Sequence, residues 1–211
     1  MIIAVDGPAA SGKGTIARAL AKHYRLPHLD TGLLYRAVAH TLMSAHGDPE
    51  NEQDALAACS FEDRLLDEPV LKGEETGRVA SIVSAHPLVR AALIQRQRNF
   101  ARQAGGAVLD GRDIGTVIAP EADAKLFVTA TPQTRARRRH AEMQKAGSHK
   151  SLDSVLADIR ARDRRDAGRE IAPMQTAPDA DLLDTSYLSI DAAVQRAIAL
   201  VDARIGRRLA S

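Results

Sequence analysis

Asp6-Gly7-Pro8-Ala9-Ala10-Ser11-Gly12-Lys13-Gly14-Thr15 is the stretch that decides the fold. Gly7 to Lys13 satisfies the spacing G-x-x-x-x-G-K of a phosphate-binding loop. Ile2 to Val5 before it reads as a buried strand, and Ile16, Ala17, Leu20, Ala21 and Tyr24 after it recur at helical spacing. Strand, loop, lysine and helix in that order separate a phosphate cradle from a glycine-rich turn ahead of an ordinary helix. The chemistry needs these residue types. Small side chains let backbone N–H groups converge on phosphate oxygens, and the helix N-terminus adds the positive end of its dipole. Lys13 supplies a point charge to the β- and γ-phosphates.

Outward from the loop, short apolar runs alternate with helical patterns, the signature of a parallel sheet covered by helices. Pro27 to Leu29 reads as a short strand, and Leu34, Val38 and Leu42 mark one face of a helix. Gly105-Gly106 breaks the chain before the strand Ala107-Val108-Leu109. Leu126 to Val128 and Leu182-Leu183 are further strands, and a closing helix carries Val194, Ile198, Val201 and Ile205. Two stretches interrupt the alternation. Residues 51–102 are mostly helical, with breakers around Pro69 and Gly73. Residues 135–169 are a pair of Arg-rich helical patterns parted by Gly147 and Ser148, with an apolar stripe at Leu152, Val155, Leu156 and Ile159. Both read as insertions at the rim of the sheet, where mobile elements of phosphotransferases sit.

Composition narrows the class. The chain has 211 residues, 45% hydrophobic and 27% charged, enough for one substantial domain and unlike a disordered chain. No apolar run approaches a membrane span, and Met1 to Asp6 lacks the basic flank of a secretory leader. Cys59 is alone, which excludes an intrachain disulfide and fits a reducing cytoplasm. The histidines lack the spacing of a zinc site. A net charge of +2 gives no general reason to expect nucleic-acid binding. The arginines between Arg135 and Arg169 are dense enough to raise that possibility locally, but no aromatic residue lies among them to stack bases.

One departure from the usual loop is informative: Gly14 follows Lys13, and the hydroxyl comes one place later, at Thr15. G-K-G-T resembles nucleoside monophosphate kinases more than GTPases or motor ATPases. The chain as a whole resembles the bacterial cytidylate kinases. The stretches that carry the likeness are Asp6 to Thr15, Asp30-Thr31-Gly32 with Tyr35-Arg36, Ala80-Ser81 with Pro87 to Arg90, Asp110 to Thr116, and Arg162 to Arg169 with Ala172-Pro173.

The resemblance implies an α/β fold of the P-loop NTPase type, a three-layer sandwich on a central parallel sheet of five strands. It implies a core of residues 1–50, 103–134 and 170–211, a helical acceptor-binding region over 51–102, and an Arg-rich lid over 135–169. The expected reaction moves the γ-phosphoryl group of ATP to CMP or dCMP. ATP would be held by Gly7, Pro8, Ala9, Ala10, Ser11, Gly12, Lys13, Gly14 and Thr15. The family's acceptor contacts match Thr31, Tyr35, Arg36, Ser81, Arg90, Arg112, Asp113, Arg162, Asp166 and Arg169 here. Cytosine presents an N4 amino donor with N3 and O2 as acceptors, so Asp113 would face N4 while Arg90 and Ser81 face the ring acceptors. Read without the resemblance, Ser81 is a helix-surface serine, Arg90 an exposed helical arginine, and Tyr35 a core residue.

Lys13, Arg112, Arg162, Arg165 and Arg169 are the expected catalytic groups, because guanidinium groups brought over the site neutralise charge on the transferring phosphoryl oxygens. Arg138 or Arg139 could assist. Other lid arginines are expected to pair with Asp158, Asp163 and Asp166. Mg²⁺ is expected to accompany ATP, with no direct protein ligand assigned and Thr15 and Asp30 as candidates for a contact through water. No nucleic acid, no membrane and a monomer complete the expectations. Residues 60–72 are shorter than the matching insertion in many members, which bears on closure over the acceptor. The rivals are a kinase of this fold acting on AMP or a sugar acid, and a nucleotide-binding regulator or RNA-binding module without transferase activity.

Overall fold

The computed structural model describes residues 1–209, with side chains as far as residue 206. Its organising strand is β1 (Ile2–Asp6), in which Ile3, Ala4 and Val5 are fully buried. A strand covered on both faces reads as a continuous apolar run rather than an alternation, as this one does. β1 pairs in parallel with β3 (Ala107–Gly111) on one side and β4 (Ala124–Thr129) on the other. With β2 (His28–Asp30) and β5 (Asp181–Asp184), the sheet has five strands in the order β2-β3-β1-β4-β5. The register sets Asp6 beside Gly111. The carboxyl ends of β1 and β3 therefore emerge side by side at the point where strand order reverses, which is where open parallel sheets bind ligands.

The helices, in chain order, are α1 (Lys13–Tyr24), α2 (Thr31–Ser44), α3 (Glu52–Ala57), α4 (Glu74–Val83), α5 (Pro87–Ala101), α6 (Pro132–Lys145), α7 (Leu152–Ala167) and α8 (Ile190–Leu209). The chain divides into two compact units: Met1–Leu29 with the chain from Ala101 onward, and Asp30–Phe100.

In the first unit, Ile16, Ala17, Leu20 and Ala21 of α1 join Val5, Val108, Leu126, Leu183, Ala197 and Val201 in one apolar cluster. α1 ends at Arg25, whose φ of 55° lets the Leu26 N–H return to the Ala21 carbonyl and close the last turn. α6 and α7 begin on hydroxyl caps, Thr131 accepting from the Thr134 N–H and Ser151 from the Ser154 N–H. They pack through Ala136, Met143, Val155 and Ile159, with Leu156 and Ala10 against them. Leu152 does not share this stripe. As the first residue of α7 it lies a turn short of the packed stretch and is 38% exposed.

After β3 the chain makes one π-turn, Ile114–Ile118. The N–H groups of Ile118 and Ala119 reach the carbonyls of Asp113 and Ile114, each five residues back. Such turns recur at functional sites.

In the second unit, α2 is capped by the Asp30 carboxylate, which accepts the Gly32 N–H at 2.9 Å, and α3 by Asn51. Leu34, Val38 and Leu42 are buried on one face of α2, as their spacing predicts. The breaker-rich stretch forms two short 3₁₀ turns, Asp63–Asp67 and Pro69–Lys72, anchored by the fully buried Leu71. No described helix is long and apolar enough to cross a membrane.

Candidate active site

The loop from Gly7 to Lys13 joins β1 to α1 and passes so close to β4 that only glycine fits at its start. A Cβ on Gly7, at φ 145°, would lie 2.0 Å from the Val128 carbonyl oxygen. Gly12 takes φ 93° as the residue before α1, which turns the chain into the helix. Several side chains hold the loop's carbonyls outward. Thr185 Oγ1 donates to the Ser11 carbonyl at 2.8 Å, Arg138 Nη1 to the same oxygen at 3.3 Å, and Arg135 Nη1 to that of Ala9 at 3.3 Å. The Ser11 hydroxyl is buried and has no partner among the described residues.

Lys13 is held by a residue that the sequence pattern did not single out. Its Nζ lies 3.3 Å from Oδ2 of Asp110, near the end of β3, and Nε2 of His28 lies 2.7 Å from Oδ1. Burial pushes the Asp110 carboxyl up, but Lys13 and His28 outweigh it and hold the group below the usual carboxylate range. A carboxylate ending an apolar strand was the available signal. Its partners follow from strand pairing rather than spacing.

Three of the expected acceptor arginines meet on one carboxylate. Asp166 Oδ2 accepts from Arg112 Nε at 2.9 Å and lies 3.8 Å from Arg162 Nε, and Oδ1 accepts from Arg169 Nη2 at 2.7 Å. Burial pushes the Asp166 carboxyl up, but Arg112, Arg169 and Arg162 together hold it below its ordinary value. The group is thus ionised and fixes three guanidiniums in one place. The remaining arginines divide. Arg135 is buried in a bidentate pair with Asp163, at 3.0 and 2.6 Å. Arg138 donates to the Ser11 carbonyl and to the hydroxyl and carbonyl of Thr185, so it braces the loop. Arg165 is exposed on α7. Among the described residues, Asp158 pairs with Lys150 and not with an arginine.

Asp113 is buried at the start of the π-turn, directly after Arg112. The turn is tied down by Asp6, whose oxygens accept the N–H groups of Ile114 and Gly115. Thr15 is exposed on α1.

The second unit holds Thr31, Tyr35, Arg36, Ser81 and Arg90. Ser81 and Arg90 are not surface residues: they are 1% and 7% exposed. Arg90 donates to the Ser84 carbonyl at 3.3 Å, Ser84 Oγ donates to the Ser81 carbonyl at 3.2 Å, and the Arg90 guanidinium lies 5.8 Å from the centre of the Tyr35 ring. Burying an arginine over an aromatic face and a carbonyl compensates its desolvation. Tyr35 is half-buried rather than core, and Thr31 is buried in the first turn of α2. Arg36 Nη1 donates to the carbonyls of Leu71 and Gly73 at 2.6 and 3.1 Å.

The sequence matches the cytidylate kinase family over residues 3–203. The chain belongs to the cytidylate kinase family. Among curated relatives, a cytidylate kinase of Rhodopseudomonas palustris (strain TIE-1) is 53% identical over 99% of both chains. One from Xanthobacter autotrophicus is 56% identical over 97% of this chain and 98% of its own, and one from Cereibacter sphaeroides (strain KD131 / KCTC 12085) is 55% identical over 96% and 95%. Solved structures agree on the fold at much lower identity. An uncharacterized protein from Eubacterium ventriosum superposes with a TM-score of 0.57 at 16% identity over 96% of this chain and 99% of its own. TT1252 from Thermus thermophilus gives 0.50 at 23% over 97% of each. As a member of the cytidylate kinase family, the chain is an ATP-dependent nucleoside monophosphate kinase acting on CMP or dCMP.

Proposed function

We propose that ATP is held at Gly7 to Thr15 and that Arg112, Arg162 and Arg169 grip the phosphate of CMP or dCMP as it receives the γ-phosphoryl group. The observation that carries this reading is the gathering of those three arginines on buried Asp166, in the same unit as the phosphate loop. An acceptor phosphate needs convergent, charge-assisted donors, and guanidiniums already oriented by a carboxylate lose less freedom when it binds. By the family likeness Arg162 and Asp166 also contact the acceptor's sugar, and Asp166 orients these arginines as well. Lys13 stabilises the β- and γ-phosphates. Arg165, exposed on α7, is assigned to charge on the transferring group, and Arg36 to the acceptor phosphate. The acceptor's own phosphate oxygen attacks the γ-phosphorus, so no side-chain nucleophile is required. The protein contributes alignment, charge and exclusion of water.

Asp113 reads the N4 amine, Ser81 and Arg90 are assigned to the ring acceptors, and Thr31 and Tyr35 enclose the nucleotide. Uracil at the same place would set a carbonyl against the Asp113 carboxylate, at a cost of about 1–3 kcal/mol per unpaired buried group.

Mg²⁺ is part of this proposal. It keeps several waters and takes one or two carboxylates beside substrate phosphates, a mode that suits the buried, ionised Asp110 next to Lys13. Thr15 is a weaker candidate, and the Asp30 carboxylate already caps α2. When bound, the ion would supply positive charge that offsets the charge of the phosphate oxygens during transfer. We assign residues 51–102 to acceptor binding, 135–169 to the lid, and the chain to the cytoplasm as a monomer, because a lid of this kind must move freely.

The test is ADP formation from ATP with CMP, dCMP, UMP and AMP as acceptors, in wild type and Asp113→Asn. CMP and dCMP should be preferred, and the ratio of CMP to UMP should fall in the variant. Equal use of all four by the wild type would refute the acceptor assignment.

A further inference from the structure

Asp6 ends β1 and stands immediately before Gly7. Its two oxygens are both committed: Oδ1 accepts the Ile114 N–H at 2.9 Å and Oδ2 the Gly115 N–H at 2.8 Å. These groups begin the π-turn that follows Arg112 and Asp113, and a first turn has no internal partners for its N–H groups. The side chain is 5% exposed. Gly115 is packed to match, since a Cβ there would come within 3.4 Å of Asp6 Oδ2 and 3.1 Å of Lys125 Cδ. One buried carboxylate thus joins the residue that launches the phosphate loop to the turn that carries the two acceptor residues.

This is a costly way to fill a core position. Burial pushes the Asp6 carboxyl up to about 7, against the pull of the two N–H groups. An apolar side chain would avoid that cost but would leave both N–H groups buried without partners. A carboxylate is also the side chain that offers one acceptor to each of two adjacent donors and no donor of its own.

We propose that Asp6 is a positioning residue for the transfer, setting Arg112 and Asp113 against the phosphate loop so that acceptor and donor phosphates meet in line. The proposal rests on the assignment of Arg112 and Asp113 to the acceptor. Asp6 itself touches neither substrate. Its effect is alignment, to which phosphoryl transfer is sensitive: a displacement of about 1 Å can cost about 10²-fold in rate.

The experiment compares wild type, Asp6→Asn and Gly115→Ala at pH 8, where the Asp6 carboxyl of the wild type is mainly ionised. Asparagine keeps the volume but turns one NH₂ toward a backbone N–H. Alanine at 115 sets a Cβ against Asp6 Oδ2 and the Lys125 side chain and leaves the charge in place. The readouts are the melting midpoint, the dissociation constant for ATP alone, kcat with CMP, and the CMP-to-UMP ratio of kcat/KM. Both variants should bind ATP within about twofold of wild type, while kcat falls by about 10²-fold and the ratio falls by about tenfold. Folded variants with wild-type kcat and ratio would overturn the proposal. So would variants in which melting and ATP affinity fall while the ratio stands, since that pattern belongs to a merely structural group. Should Asp6→Asn not fold, Gly115→Ala decides by the same criteria. A wild type indifferent between CMP and UMP would instead count against the base assignment, and kcat of the variants would still decide the role of Asp6.

Discussion

Asp166 Oδ2 accepts from Arg112 Nε at 2.9 Å, joining α7 to the turn after β3. Replacing Asp166 by Asn leaves Arg112, Arg162 and Arg169 crowded without their shared counter-charge. Breaking a buried pair in this way costs about 3 kcal/mol of stability. Affinity for CMP should fall about tenfold or more as the guanidiniums splay. Calorimetry on the folded variant checks both.

The same carboxylate sets a pH window. Its folded value is held below the ordinary 3.8 by the three arginines. A group shifted in that direction contributes stability above its unfolded value, which is lost as pH falls through the folded one. The difference in melting midpoint between wild type and Asp166→Asn should therefore be full at pH 6 and shrink below about pH 4. A difference that grew on acidification would contradict the charge assignment.

Lys13→Ala removes the point charge assigned above to the β- and γ-phosphates. Turnover should fall by about 10²- to 10³-fold, with CMP binding changed much less. Single-turnover rates and CMP titrations separate the two. Asp110→Asn should instead raise the Mg²⁺ concentration needed for half-maximal rate, by about 10-fold or more. Excess chelator should abolish turnover in both wild type and variant.

Gly77 sits inside α4, where glycine costs about 1 kcal/mol relative to alanine. A Cβ there would lie 2.7 Å from Arg36 Nη2, the far end of a flexible side chain. Gly77→Ala should raise the melting midpoint or leave it unchanged, yet raise KM for CMP about three- to tenfold by displacing Arg36. An unaltered KM would indicate that Arg36 takes no part in holding the acceptor.

The strand, loop and helix of the phosphate cradle were legible because everything they need is local: apolar run, glycines, lysine, helical repeat. The paired helices of 135–169 were legible for the same reason. What sequence could not supply was the use of each polar group once distant strands pair. Asp6 and Asp110 acquire their partners because β1 and β3 lie in register, which brings Asp6 to Ile114 and Gly115 and lets Asp110 reach Lys13 and His28. Nothing in their spacing marks them. Ser81 and Arg90 read as surface residues without the family likeness because helical periodicity does not reveal Tyr35 and Ser84 beside them. The arginines of α6 and α7 look alike in sequence, although Arg135 and Arg138 are spent on carbonyls and Asp163 while Arg165 stands exposed.

Arg135 and Arg138 also constrain how the helical hairpin can travel. Both guanidiniums grasp the carbonyls of Ala9 and Ser11 from the first two turns of α6. A swing about the base of that helix would drag the phosphate loop along or tear it from its moorings. For the lid motion proposed above, the pliable part of the arm would therefore begin beyond Arg138, leaving the proposed nucleotide berth still while the tip sweeps.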